Sequence, residues 1–188
     1  MKSQNTADLL SAEFQPGSSV IYAMHGKCSV LGTEVRSLGG DPIQFYKLEI
    51  KRSTLSRSQK QEPAIWVPVA KAKDRGLRRP MDKAEAEMAT KILGSREYFF
   101  KLNESWSQIQ PLLEGVIRTE GGIGLAKAAS YLFVLKRKQV VSHPEVNKLQ
   151  EMVHKLLFRE LSDALGEPAR ILEERATKGF RMKLMPDN

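Results

Sequence analysis

The 188-residue chain predicts an α+β fold, a small N-terminal β-barrel followed by a C-terminal α-helical bundle. Three observations predict it. Between residues 14 and 76, short apolar runs alternate with period two and are separated by Gly, Pro and Asp turn signals. From residue 80 onward the apolar spacing becomes three and four, the period of amphipathic helices. Two capping-box patterns, Asp82 with Glu85 and Ser142 with Glu145, then mark helix starts.

The strands come first. Residues 15–34, QPGSSVIYAMHGKCSVLGTE, read as two strands, 19–23 and 28–34, joined at a Met-His-Gly corner where Gly26 can take a positive φ. Val20 and Tyr22 share a face, and Cys28 and Val30 continue the alternation. Gly39-Gly40-Asp41-Pro42 is a turn signal before FYKLEI, residues 45–50. Residues 51–63 are polar and predict a long hairpin loop. IWVPV, residues 65–69, resumes the sheet. Pro68 cannot donate to a ladder, which puts this strand at an edge. In it Trp66 faces opposite to Ile65 and Val67, the better core candidates. Four or five short strands in about 60 residues suit a small SH3- or Tudor-like barrel.

The helices follow. The first runs from Asp82 to Gly94, with Met81, Ala84, Met88 and Ile92 as its apolar face. A second spans about 105–118, with Trp106, Ile109, Leu113, Val116 and Ile117 apolar; Pro111 predicts a late start or a kink. Gly121-Gly122 predicts a loop. A third helix spans about 124–139, and a fourth carries Val146, Leu149, Val153, Leu156, Leu157 and Leu161 until Gly166 and Pro168 end it. Residues 167–188 read as a basic, flexible tail with a short amphipathic stretch. The domain boundaries expected are therefore 14–78, 79–166 and 167–188.

Composition narrows the function classes. The chain is 41% hydrophobic and 28% charged, with no run near the roughly 20 apolar residues that a membrane helix needs. The N-terminus lacks the apolar core of a secretory signal, so a cytoplasmic location is expected and no membrane partner. The single cysteine, Cys28, excludes an internal disulfide and a cysteine-based zinc site, and its strand position predicts a small buried apolar residue. Net charge is +8, shared equally by the parts before and after Gly76. That mild excess admits a nucleic-acid or acidic partner without demanding one.

Catalytic patterns are missing. His25, His143 and His154 have no local pairing, no metalloprotease, P-loop or nucleophile-elbow motif occurs, and Gly121-Gly122-x-Gly124 joins helices where a phosphate cradle follows a strand. No catalytic residue, metal or cofactor is expected. Lys136-Arg137-Lys138 suits a helix C-terminus. Trp106 follows the polar segment Asn103-Glu104-Ser105 at a helix start. It fits either a core anchor or a projecting aromatic wedge of the kind that unstacks a base step. Lys101, Arg118 and Lys127 are the candidate phosphate contacts around it.

Over residues 14–166 the chain resembles the CarD family of bacterial transcription regulators, which includes the CdnL proteins. GSSVIYAMHG resembles the family's GD-x-VVYP-x-HG opening, and the FYKL strand follows at a similar spacing. WVPVAKAKDRGLR resembles the closing VPV-x-x-A-x-x-x-GLR. NESW precedes the bundle, and VVSHPE stands where the family has GLS-x-x-E. The resemblance implies a Tudor-like domain that docks on the RNA polymerase β subunit and a helical domain that contacts promoter DNA at the upstream edge of the transcription bubble. There a tryptophan wedges into the minor groove. Arg36 matches a family arginine at the polymerase contact, and Trp106 matches the wedge. Trp66 stands where relatives can carry a polymerase-contacting arginine, beside the 51–63 insertion. Gln108 and Pro111 replace basic DNA-contacting residues. Two alternatives stay open: a polymerase-binding adaptor without DNA contact, and a single-strand nucleic-acid-binding protein that stacks bases on Tyr22, Phe45, Tyr46 and Trp66.

Overall fold

The computed structural model describes residues 12–37, 40–51, 64–95, 97, 99–100, 105–137 and 144–183. The expected loop beyond Lys51, the Ser142 capping box and Lys101 lie outside the described residues. The chain divides into two compact units, Met1–Arg79 and Pro80–Asn188. The first is strand-rich and the second helical, an α+β protein.

The described strands of the first unit are β1 (Ser19–Tyr22), β2 (Gly26–Ser37), β3 (Pro42–Ile50), β4 (Ile65–Pro68) and β5 (Leu77–Arg78). They form an antiparallel sheet in the order β4-β3-β2-β1-β5. Among the described residues no ladder joins β4 to β5, so the sheet is open along both edges. β4 is an edge strand, the place open to a strand that ends in Pro68. Its core side carries Val20, Cys28, Val30, Tyr46, Leu48 and Val67, closed by Ala72 and Leu77. Phe14 packs on this core, and its N–H donates to the Tyr46 hydroxyl at 3.2 Å. Burial pushes the Cys28 thiol up to about 11, which leaves it protonated and unreactive.

β2 is longer than its alternation suggests because it changes phase. Val30 pairs with Leu48, but Gly32, not Leu31, pairs with Lys47. Leu31 is the extra residue of a β-bulge and is exposed. Gly32 carries φ 156°, a value that side-chain-bearing residues rarely adopt. Directly opposed residues share a face. Thr33 opposite Tyr46 therefore takes the core side, while Glu34 and Arg36, opposite Phe45 and Ile43, take the outer one. An unbroken period-two reading from Cys28 would put Arg36 on the core side.

The second unit contains α1 (Lys83–Gly94), α2 (Trp106–Arg137), α3 (Pro144–Leu165) and α4 (Ala169–Lys183). The α1 capping box forms as read. Asp82 accepts from the Glu85 N–H at 2.9 Å, and Glu85 accepts from the Asp82 N–H at 3.0 Å. The apolar face of α1 differs from expectation. Ala86, Ala89 and Leu93 are buried, while Ala84 and Met88 face solvent. The two buried alanines keep this face of α1 small, which permits close packing against its neighbouring helices.

The helices expected at 105–118 and 124–139 join as α2, which breaks at Gly121 (φ 59°, ψ −125°) and not at Pro111. The arms fold back tightly. A Cβ on Gly124 would strike the Val116 carbonyl, and one on Gly122 would strike the Met81 thioether. Met81 is held by its N–H, which donates to the buried Glu160 carboxylate at 2.8 Å. Pro144 opens α3 at its first position, where its missing N–H costs nothing.

The expected flexible tail is instead helix α4 through Lys183, packed on α1 and α3. Leu172, Ala176 and Phe180, spaced by four, are buried. Phe180 stacks on Phe133 with centroids 4.4 Å apart. Each large apolar side chain buried this way contributes about 1.5–3 kcal/mol. Gly179 crosses α1 at Gly94, where a Cβ would lie 2.8 Å from the Gly94 Cα. His154 lies against the Phe158 ring and 4.0 Å from Glu173 of α4.

Candidate functional site

The bulge in β2 and the edge position of β4 bring two distant residues together. Trp66 is directly opposite Lys47 on the outer face of β4. Arg36, placed on that face by the bulge, lays its guanidinium carbon 3.4 Å from the Trp66 ring centroid. The Lys47 ammonium lies 5.4 Å from the same centroid. Glu34, two residues before Arg36 and on its face, accepts from Arg36 Nε at 3.1 Å. The Arg36 and Glu34 side chains are 43% and 51% exposed. Phe45, also on the outer face by register, is buried. The result is a half-exposed indole carrying a stacked guanidinium, with one carboxylate and one ammonium beside it. Such a surface can receive a planar oxyanion while offering apolar area around it.

The members that sequence reasoning missed are Glu34, Lys47 and the bulge. A glycine inside a strand pattern is a bulge signal, and Gly32 supplied it.

In the helical unit, Ser105 caps α2. Its carbonyl accepts from the Gln108 and Ile109 N–H groups at 3.0 and 3.1 Å. Gln108 Oε1 accepts in return from the Ser105 hydroxyl at 2.9 Å and from its N–H at 3.3 Å. Gln108 thus serves the helix start. Trp106 is the first residue of α2. It is half-buried, and its indole N–H is shielded from solvent with no hydrogen-bond partner among the described residues. The exposed part of the residue therefore excludes its one donor.

Two of the three basic candidates around Trp106 fall within the described residues. Arg118 is exposed but twelve residues along α2, about 18 Å away and about 120° around the helix. Lys127 lies beyond the Gly121 break. Its ammonium pairs with Glu120 at 2.6 Å and lies 5.8 Å from the Phe99 ring centroid. Lys101 is outside the described residues. Among the aromatic residues of the sheet, Tyr46 and Phe45 are buried, and Tyr22 stacks on His25 at 5.0 Å.

Among the described residues no cluster of His, Cys, Asp and Glu could hold a metal ion. No described helix is long and apolar enough to cross a membrane. No protein-family model matches the chain, and no curated protein matches it either.

Proposed function

We propose that this chain is a cytoplasmic, non-enzymatic transcription regulator that binds the RNA polymerase β subunit and stabilises the open promoter complex. The observation that carries the reading is the Arg36–Trp66 stack. The two positions that the CarD resemblance links to polymerase contact lie thirty residues apart in sequence. They meet on one half-exposed face, next to an open sheet edge. We read the open sheet as the Tudor-like domain of that family. An edge strand can extend a partner's sheet, and the outer face beside it supplies the side-chain contacts. Tethering to polymerase then raises the local concentration of the helical unit at promoter DNA, so weak intrinsic DNA binding suffices. Trp106 is the wedge. A contact that favours open over closed DNA by about 1.4 kcal/mol shifts that equilibrium tenfold.

The adaptor reading, polymerase binding without DNA contact, has its own support. Lys127 is spent on Glu120, Gln108 on the helix cap, and Trp106 is only partly exposed. Single-strand binding has less, because Phe45 and Tyr46 are buried and their faces cannot stack bases. Two variants separate these readings. Arg36→Glu is expected to weaken binding to the β subunit at least about tenfold, since it reverses a charge at the contact. Trp106→Ala is expected to keep that binding and shorten the open-complex lifetime. An unchanged lifetime in a folded, polymerase-binding Trp106→Ala protein selects the adaptor.

A further inference from the structure

The geometry points to Trp66 as a positioning residue that acts through Arg36, and the inference rests on the reading of this face as a polymerase contact. An arginine on an exposed strand samples many rotamers, and a partner must order it on binding. Here two restraints act before any partner arrives. The indole covers one broad face of the guanidinium at 3.4 Å. Glu34 fixes its inner edge through Nε at 3.1 Å. The two terminal nitrogens form the edge that remains, a planar fork on a side chain 43% exposed.

Trp66 stands directly across from Lys47. An arginine at position 66, the residue that relatives can have, would face that ammonium and compete with Arg36 for Glu34. In this chain the second cation is exchanged for a platform that holds the first. Lys47, over the same ring at 5.4 Å, adds positive potential without the fork.

Two measurements on the full chain test this, with thermal unfolding run on each variant to verify the fold. The first is the Arg36 Nε–Hε resonance in the free protein. Ring current from Trp66 should shift it upfield, and Trp66→Ala should return it to the ordinary arginine position. No movement on substitution overturns the proposal, whatever the protein binds. The second is a double-mutant cycle on binding to the polymerase β subunit. Trp66→Ala should weaken binding by roughly three- to tenfold. Trp66→Phe should recover part of that loss. In an Arg36→Ala background, Trp66→Ala should cost almost nothing further. Equal losses from Trp66→Ala in both backgrounds would make Trp66 a contact in its own right and overturn the positioning role. If the unaltered chain fails to bind the β subunit while the resonance shifts as expected, the stack stands and the polymerase reading falls.

Discussion

At the scale of single residues, chemistry follows from what each side chain touches. Arg36 stands out because its Nε is tethered by Glu34, two residues before it, and its face by Trp66, thirty residues after it, a separation that no local motif reveals. Cys28 was legible as a small buried apolar residue because alternation alone places it. Glu160 was not legible. Its charge reads as solvated surface, yet it is buried and holds the Met81 N–H. His154 carries a consequence for pH. Burial lowers its pKa, and the opposing pull of Glu173 is the smaller effect. The fold therefore favours the neutral ring. As pH falls below about 6.5, the unfolded chain takes up that proton more readily than the folded one. Stability contributed by neutral His154 is present above that value and is lost as pH falls through the lower folded value. Lowering pH from about 7.5 to about 5.5 is expected to reduce the urea midpoint of the native chain more than that of His154→Phe. An equal reduction in both would show that the imidazole contributes nothing to acid sensitivity.

At the scale of elements, the sequence was most readable where one local rule acts alone. The Asp82–Glu85 capping box and the Gly121 break are such cases. It was least readable where a neighbour decides. On α1, hydropathy favours Met88 over Ala86 and Ala89, but close helix packing selects the small residues. On α4, basic residues mask three apolar ones spaced by four, and only the surfaces of α1, α2 and α3 give those three a place to bury. β2 is the sharpest case, because one extra residue sets which side chains face outward. Deleting Leu31 would remove only the unpaired extra residue, so that Val30 opposite Leu48 is followed directly by Gly32 opposite Lys47, and Glu34 and Arg36 keep the outer face. Binding to the β subunit close to that of the unaltered chain is expected, with little change in melting temperature, since the residue removed is exposed and unpaired. A deletion variant that loses binding as completely as Arg36→Glu would mean that the outer face depends on the bulge itself and not only on the count of residues.

At the scale of the whole molecule, the two units answer to different contacts. Residues 1–79 include the whole Arg36–Trp66 face and its supporting sheet. Produced alone, they are expected to hold most of the affinity for the β subunit, measured by calorimetry, while residues 80–188 hold little. The reverse ranking would move the docking surface to the helices. The two units also differ in when they can be finished. The last described strand of the first unit, β5, ends at Arg78, so that unit is complete early in synthesis. The second cannot close so soon. Met81, the second residue of that unit, is secured by Glu160, 79 residues downstream, and α1 receives its last neighbour, α4, later still. At the usual 5–20 residues per second, the start of the helical unit waits about 4–16 s on the ribosome for its anchor. During that interval α1 can meet α2 but lacks its cover from α4, and the nascent chain carries a strand-rich unit whose described strands are all made beside a helical unit still unfinished.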